Sequence, residues 1–190
     1  SFIYEFLPKN QLVANCHKIP QKFFEKRFLS HHELTDSINK TIEILKDICK
    51  DDVQILFTVS PVRHTKDGIV ENQLSKSKLL TAIHESISGK ENCSYLPVYE
   101  ILMDDLRDYR FYKDDLIHPN SQAVQYIWEK FGNAYFSDET KIFINENNKI
   151  LTALNHKTND DKNPKYQEFR NKIDLKIKEQ QKKVKHKIFS

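Results

Sequence analysis

The run Val53-Gln54-Ile55-Leu56-Phe57-Thr58-Val59 constrains this chain more than any other stretch. It is almost wholly apolar and β-branched, bounded by Asp51-Asp52 and by Pro61, the pattern of a parallel strand covered on both faces. Helical patterns lie on either side. Ser30 and Glu33 have the spacing of a capping box, and Leu34, Ile38, Ile42, Leu45 and Ile48 follow at helical period, which predicts a helix to about Lys50. Past a polar loop from Arg63 to Gly68, the series Leu74, Leu79, Leu80, Ile83 and Ile87 predicts a second helix ending near Gly89. A short strand, Ser94 to Tyr99, comes next. Strand, helix and strand in that order imply a right-handed crossover in a parallel sheet, so the fold class is α/β.

Phe2–Phe6 and Gln11–Ala14 flank the turn Leu7-Pro8-Lys9-Asn10 and read as a hairpin or two short strands. Glu100 to Asp105 suits a short helical turn, and Arg107 to Asp115 a charged, aromatic-rich loop. Pro119 suits the start of another helix, with Asn120 or Ser121 as cap and Ala123, Tyr126, Ile127 and Phe131 as its buried stripe. Ser137 to Asn155 predicts a further helix. The sequence divides into a domain over 1–136 and a Lys-rich helical extension over 137–190. Residues 157–190 hold eleven Lys and Arg against five Asp and Glu, a balance of +6, so the net charge of +3 belongs to the tail. Such a tail suits a solvated, partly helical extension better than a nucleic-acid or anionic-surface contact.

Cys16, Cys49 and Cys93 show no paired spacing, which argues against a disulfide framework and for a reducing, cytoplasmic setting. No stretch approaches the length of an apolar membrane span. Ser1 is not an initiator Met, and opening on a strand predicts that earlier βα units precede it.

Asp115-Leu116-Ile117-His118 is the most informative tetrapeptide. In a tight turn at that spacing, the carboxylate reaches the imidazole Nδ1–H, fixes the tautomer and stabilises the imidazolium, leaving Nε2 to act as general base. The alternative is a surface Asp beside a helix-capping His. Position favours the first reading, because the motif follows the last strand of an α/β sheet, where such folds build their sites.

The stretches Val13-Ala14-Asn15-Cys16-His17-Lys18, Thr58-Val59-Ser60-Pro61-Val62-Arg63-His64, Asp67 to Lys76 and Asp104 to Tyr112, completed by Asp115 to Pro119, resemble the GSCFA family in collinear order. That family is similar to SGNH or GDSL hydrolases. The resemblance implies a flavodoxin-like three-layer α/β/α fold with a parallel sheet, in which Asp115 and His118 match the C-terminal Asp-x-x-His block. The Gly-Ser-Cys-Phe-Ala motif with its serine has no counterpart in this sequence and is expected upstream. The implied activity of the whole protein is ester hydrolysis on a small-molecule or carbohydrate O-acyl group, with these residues alone inactive. A non-catalytic binding module on the same fold is the alternative.

Ser60 ends a strand but lacks the glycines of a nucleophile elbow, and reads as structural or pocket-lining. Arg63 and His64, at the C-terminal end of the central strand, suit an anionic or hydroxyl-rich substrate or an oxyanion hole, or else Arg63 pairs with Asp67 or Glu71. Asn15 is a candidate oxyanion amide. Cys16, His17 and His64 lack zinc-ligand spacing, so neither metal nor cofactor is expected. The acidic neighbours of the Arg107–Tyr112 run argue against a nucleic-acid partner and for a loop that orders the catalytic segment. The sequence is silent on oligomeric state.

Overall fold

The computed structural model describes residues 1–13, 18–50, 52–155 and 163–189. The chain divides into two compact units, 1–128 and 129–190, and the architecture is mixed α/β.

In the first unit, β1 (Phe2–Phe6) pairs antiparallel with β2 (Gln11–Val13) across a 3-10 turn at Leu7–Lys9, as the hairpin pattern predicts. A third strand, β3 (Phe24–Phe28), pairs with the other edge of β1, giving the order β2-β1-β3. Sequence patterning misses β3 because Phe24-Glu25-Lys26-Arg27-Phe28 carries three charges. Two of them sit on the sheet usefully. Lys26 lays its ammonium over the Phe2 and Tyr4 rings at 4.5 and 5.5 Å, while Phe2 stacks on Phe28 at 3.9 Å. Arg27 holds both oxygens of Glu33 at 3.0 and 2.7 Å.

Glu33 completes the predicted capping box of α1 (His31–Cys49): Ser30 Oγ accepts from the Glu33 amide at 3.2 Å, and the Glu33 carboxylate accepts from the Ser30 amide at 2.8 Å. One carboxylate thereby ties sheet to helix. Leu34 and Ile42 are buried in this helix, but Ile48, expected in the same stripe, is 73% exposed.

The central apolar run forms β4 (Ile55–Phe57), shorter than its sequence pattern, parallel to β5 (Cys93–Tyr95). The helix α2 (Ile69–Ile87) connects them and packs on both α1 and β5. Gly68 opens α2 at φ +112°, a conformation that L side chains rarely adopt, so a side chain there is strained. Lys76 is buried on α2 and donates to the Ser60 carbonyl at 2.6 Å, anchoring the chain just past β4. Burial lowers its ammonium pKa.

After β5, α3 (Val98–Glu100) continues into a π turn, Ile101–Asp105. Leu102, Leu106, Phe111 and Ala123 form the core beneath the following loop, with Met103, Tyr112 and Tyr126 packed against it. The helix α4 (Ser121–Tyr135) starts two residues later than Pro119. Asn120 supplies the cap, its Oδ1 accepting from the Ala123 amide at 3.0 Å.

The second unit contains α5 (Asp138–Leu154), capped by Ser137, and α6 (Pro164–Gln181), capped by Asn163. Ile150, Ile173 and Phe189 make its core. Gln181 then ties down the end of the chain, donating to the His186 carbonyl at 2.7 Å and accepting from the Ile188 amide at 3.1 Å. Among the described residues no helix is long and apolar enough to cross a membrane.

Candidate active site

The Asp115–His118 segment is a closed turn. At its base, Tyr112 bridges Pro119, the Lys113 amide donates to the His118 carbonyl at 2.8 Å, and the Asn120 amide donates to the Phe111 carbonyl at 2.9 Å. Asn120 also donates from its side chain to the Arg110 carbonyl at 2.6 Å. These bonds fix both ends of the turn while its tip reaches solvent. Leu116 at the tip has φ +54°, a left-handed conformation that costs a non-glycine residue about 1–2 kcal/mol.

That reversal lets Asp115 serve three donors. Its Oδ1 accepts from the amides of Ile117 and His118 at 2.8 and 3.0 Å, and its Oδ2 lies 2.8 Å from His118 Nδ1. The His118 amide, the His118 ring and the Ile117 amide together hold the Asp115 carboxyl well below the usual carboxylate range. Because an ionised carboxylate only accepts, Nδ1 carries the proton in the neutral ring, which leaves the lone pair of that form on Nε2. His118 is about half exposed, its side chain at 52%, and among the described residues Nε2 has no hydrogen-bond partner. The carboxylate therefore fixes an imidazole whose side chain is about half exposed.

Arg63 connects this turn to the end of β4. Its amide donates to the Ile117 carbonyl at 3.2 Å, and its guanidinium donates to the Leu116 carbonyl, also at 3.2 Å. The same guanidinium lies over the rings of Tyr112 and Tyr109, 5.8 and 6.0 Å from their centroids. Behind those rings is a pocket of about 330 Å³ whose walls include Arg63, Tyr99, Met103, Leu106, Tyr109 and Tyr112. Neither Asp115 nor His118 lines it. Arg63 and Tyr112 are common to the pocket and the turn. Burial raises the pKa of the Tyr112 hydroxyl, keeping it a neutral donor.

The structure thus brings Asp115, His118 and Arg63 together. His64 is exposed one residue further on, its amide donating to Asn72 Oδ1 at 2.8 Å. Asn15 lies outside the described residues. Ser60 behaves structurally: its Oγ accepts from the Val62 amide at 3.3 Å, and its carbonyl takes the Lys76 ammonium. Among the described residues no group of His, Cys, Asp and Glu has the arrangement of a metal site. Sequence reasoning missed Tyr99, Tyr109 and Met103 as pocket walls, since only the tertiary fold collects them.

A turn that fixes a histidine by its own aspartate, at the C-terminal side of a parallel β-α-β unit, defines the class of site. The GSCFA family model matches residues 1–131, and the chain belongs to the GSCFA family. No curated protein and no solved structure matches the chain significantly.

Proposed function

We propose that the protein is a serine hydrolase acting on an O-acyl ester, with residues 1–136 forming the C-terminal part of an SGNH-like three-layer domain and 137–190 an extension. The carrying observation is the 2.8 Å contact from His118 Nδ1 to Asp115, which leaves Nε2 without a hydrogen-bond partner among the described residues. In this reading the nucleophilic serine belongs to a segment of the full-length protein ahead of residue 1. His118 Nε2 takes the serine proton as Oγ attacks the ester carbonyl, and Asp115 stabilises the imidazolium. The imidazolium then returns that proton to the departing alkoxide, leaving an acyl-serine. A water molecule, deprotonated by the same nitrogen, attacks the acyl-serine; release of the acid restores the serine. The amide of Asn15 and the donors of Arg63 and His64 are the proposed oxyanion and substrate contacts.

Hydrolysis of a short-chain p-nitrophenyl ester by the full-length protein and its His118→Ala variant tests the reading. Turnover is expected to fall by on the order of 10³-fold or more on losing His118. Equal turnover in both proteins would defeat it.

A further inference from the structure

The pocket beside the turn has an unusual charge arrangement. Three charged residues line it: Arg63, Arg107 and Asp108. Two are already engaged within the protein. Arg107 donates to the Asp104 carboxylate at 2.6 Å, and Asp108 accepts from the Arg110 amide at 2.8 Å. Arg63 differs. A guanidinium has five N–H donors, and the described contacts of Arg63 engage one of them, on the Leu116 carbonyl. Glu71, one of its expected partners, is turned toward Gly68; the side chain of Asp67, the other, lies outside the described residues, and among the described side chains no carboxylate pairs with Arg63.

The remaining walls set the shape and polarity of a ligand. Tyr99, Tyr109 and Tyr112 offer ring surface, and Leu102, Met103 and Leu106 close the apolar side. The amide oxygens at the rim are also in use: Asn72 Oδ1 takes the His64 amide, and Gln73 Oε1 takes the Tyr99 hydroxyl at 2.9 Å. The pocket therefore presents flat apolar surface, the planar cation of Arg63, and one carboxylate, Asp108, that no described cation pairs. Asp104, Asp105, Asp108, Asp114 and Asp115 all lie in the surrounding segment, and their repulsion, which grows with the ligand's charge, disfavours a dianion such as a phosphate monoester about twice as strongly as a monoanion.

We infer that this pocket binds a monoanionic ligand with a planar apolar body, its carboxylate held by the free donors of Arg63. A planar carboxylate matches the guanidinium fork bidentately, and the body stacks among the tyrosines. Resting on the hydrolase reading above, the inference names the substrate class as esters that carry an aryl or similarly flat group with a free carboxylate. Arg63 then links recognition to chemistry, since the residue that binds the anion also holds the carbonyl of Leu116, two residues before His118.

Calorimetric titration of the 190-residue chain with cinnamate, cinnamyl alcohol and cellobiose tests this. Binding needs no serine and no turnover, so the result stands apart from the esterase assay. Cinnamate is expected to bind at about millimolar affinity or better, at least about tenfold more tightly than the uncharged alcohol. Arg63→Gln is expected to remove that preference, and Arg63→Lys to keep part of it. Tyr109→Ala should weaken cinnamate and the alcohol alike. Because Arg63 also supports the turn, the ring resonances of His118 are followed in each variant to show that the Asp115 contact persists. Equal affinity for acid and alcohol, a preference that survives Arg63→Gln, tighter binding of cellobiose, or no binding of cinnamate would each overturn the inference.

Discussion

The Asp115–His118 turn and the core of the second unit satisfy their polar groups in opposite ways. The turn is exposed, yet Asp115, Asn120 and Arg63 each make two or more hydrogen bonds, most of them to backbone. The second unit buries Asn147 and Gln180, and among the described residues Asn147 Oδ1 and Gln180 Oε1 have no hydrogen-bond partner. A buried acceptor left unpaired costs about 1–3 kcal/mol. The helical pair tolerates this because Ile150, Ile173 and Phe189 hold it by apolar contact, which has no directional requirement. The turn has little apolar burial of its own and depends on directional bonds. Dense hydrogen bonding on the exposed loop holds the His118 ring in one orientation; unpaired amide oxygens in a small core are a stability cost with no evident return.

The sharpest way to break this contrast is to remove what lies under the turn. Leu102 is almost fully buried beside Phe111 and Ala123, so Leu102→Ala should cost about 2–5 kcal/mol in denaturant unfolding and broaden the His118 signals. Unchanged stability would mean that the core does not support the turn. Next comes the reverse change in the second unit. Asn147→Leu replaces an amide whose buried oxygen is unpaired by an apolar group of similar size, and is expected to stabilise by about 1–3 kcal/mol in thermal unfolding. A loss of stability would show that the amide has a role the apolar core cannot fill.

Leu116→Gly tests the strain at the tip. Relief of the φ +54° conformation is offset by the greater entropy of glycine when unfolded, so a net gain of up to about 1 kcal/mol is expected, read from the urea midpoint. The last prediction concerns acid. The Arg27 hydrogen bonds, with those from Ser30, bring the Glu33 carboxyl down to about 2 from its ordinary 4.5. Its folded-state value is depressed, so its contribution is fully present above pH 4.5 and disappears as pH falls toward 2. Glu33→Gln should flatten the pH dependence of stability in that window, measured by urea unfolding at each pH. An unaltered slope would remove Arg27–Glu33 as a link between β3 and α1.

Local sequence made part of this legible. Ser30 with Glu33, and Asp115 with His118, are partners three residues apart, and each contact forms as the spacing implies. The capped ends of α1 and α5 follow from short-range chemistry of the same kind. The rest depends on the fold. Strand β3 is hidden by charges whose aliphatic stems cover aromatic rings, and the exposure of Ile48 and Leu74 reflects which faces of α1 and α2 find a neighbour. The pocket draws on residues from 61 to 112, brought together by the β4-α2-β5 crossover, so no window of sequence contains it. Arg63 stood out by its place after the central strand, but its side-chain bond to the turn spans fifty-three residues.

The central claim is that Asp115 fixes His118 with the proton on Nδ1 and a lone pair on Nε2. Nitrogen-15 NMR of the imidazole rings, on the 190-residue chain and its Asp115→Asn variant, tests this above the pH at which the ring protonates. The account predicts the Nδ1–H tautomer for His118 in the native protein, and a shift toward an averaged or Nε2–H form once Asp115 is replaced. Finding Nε2–H in the native protein, or the same tautomer in both, would contradict it.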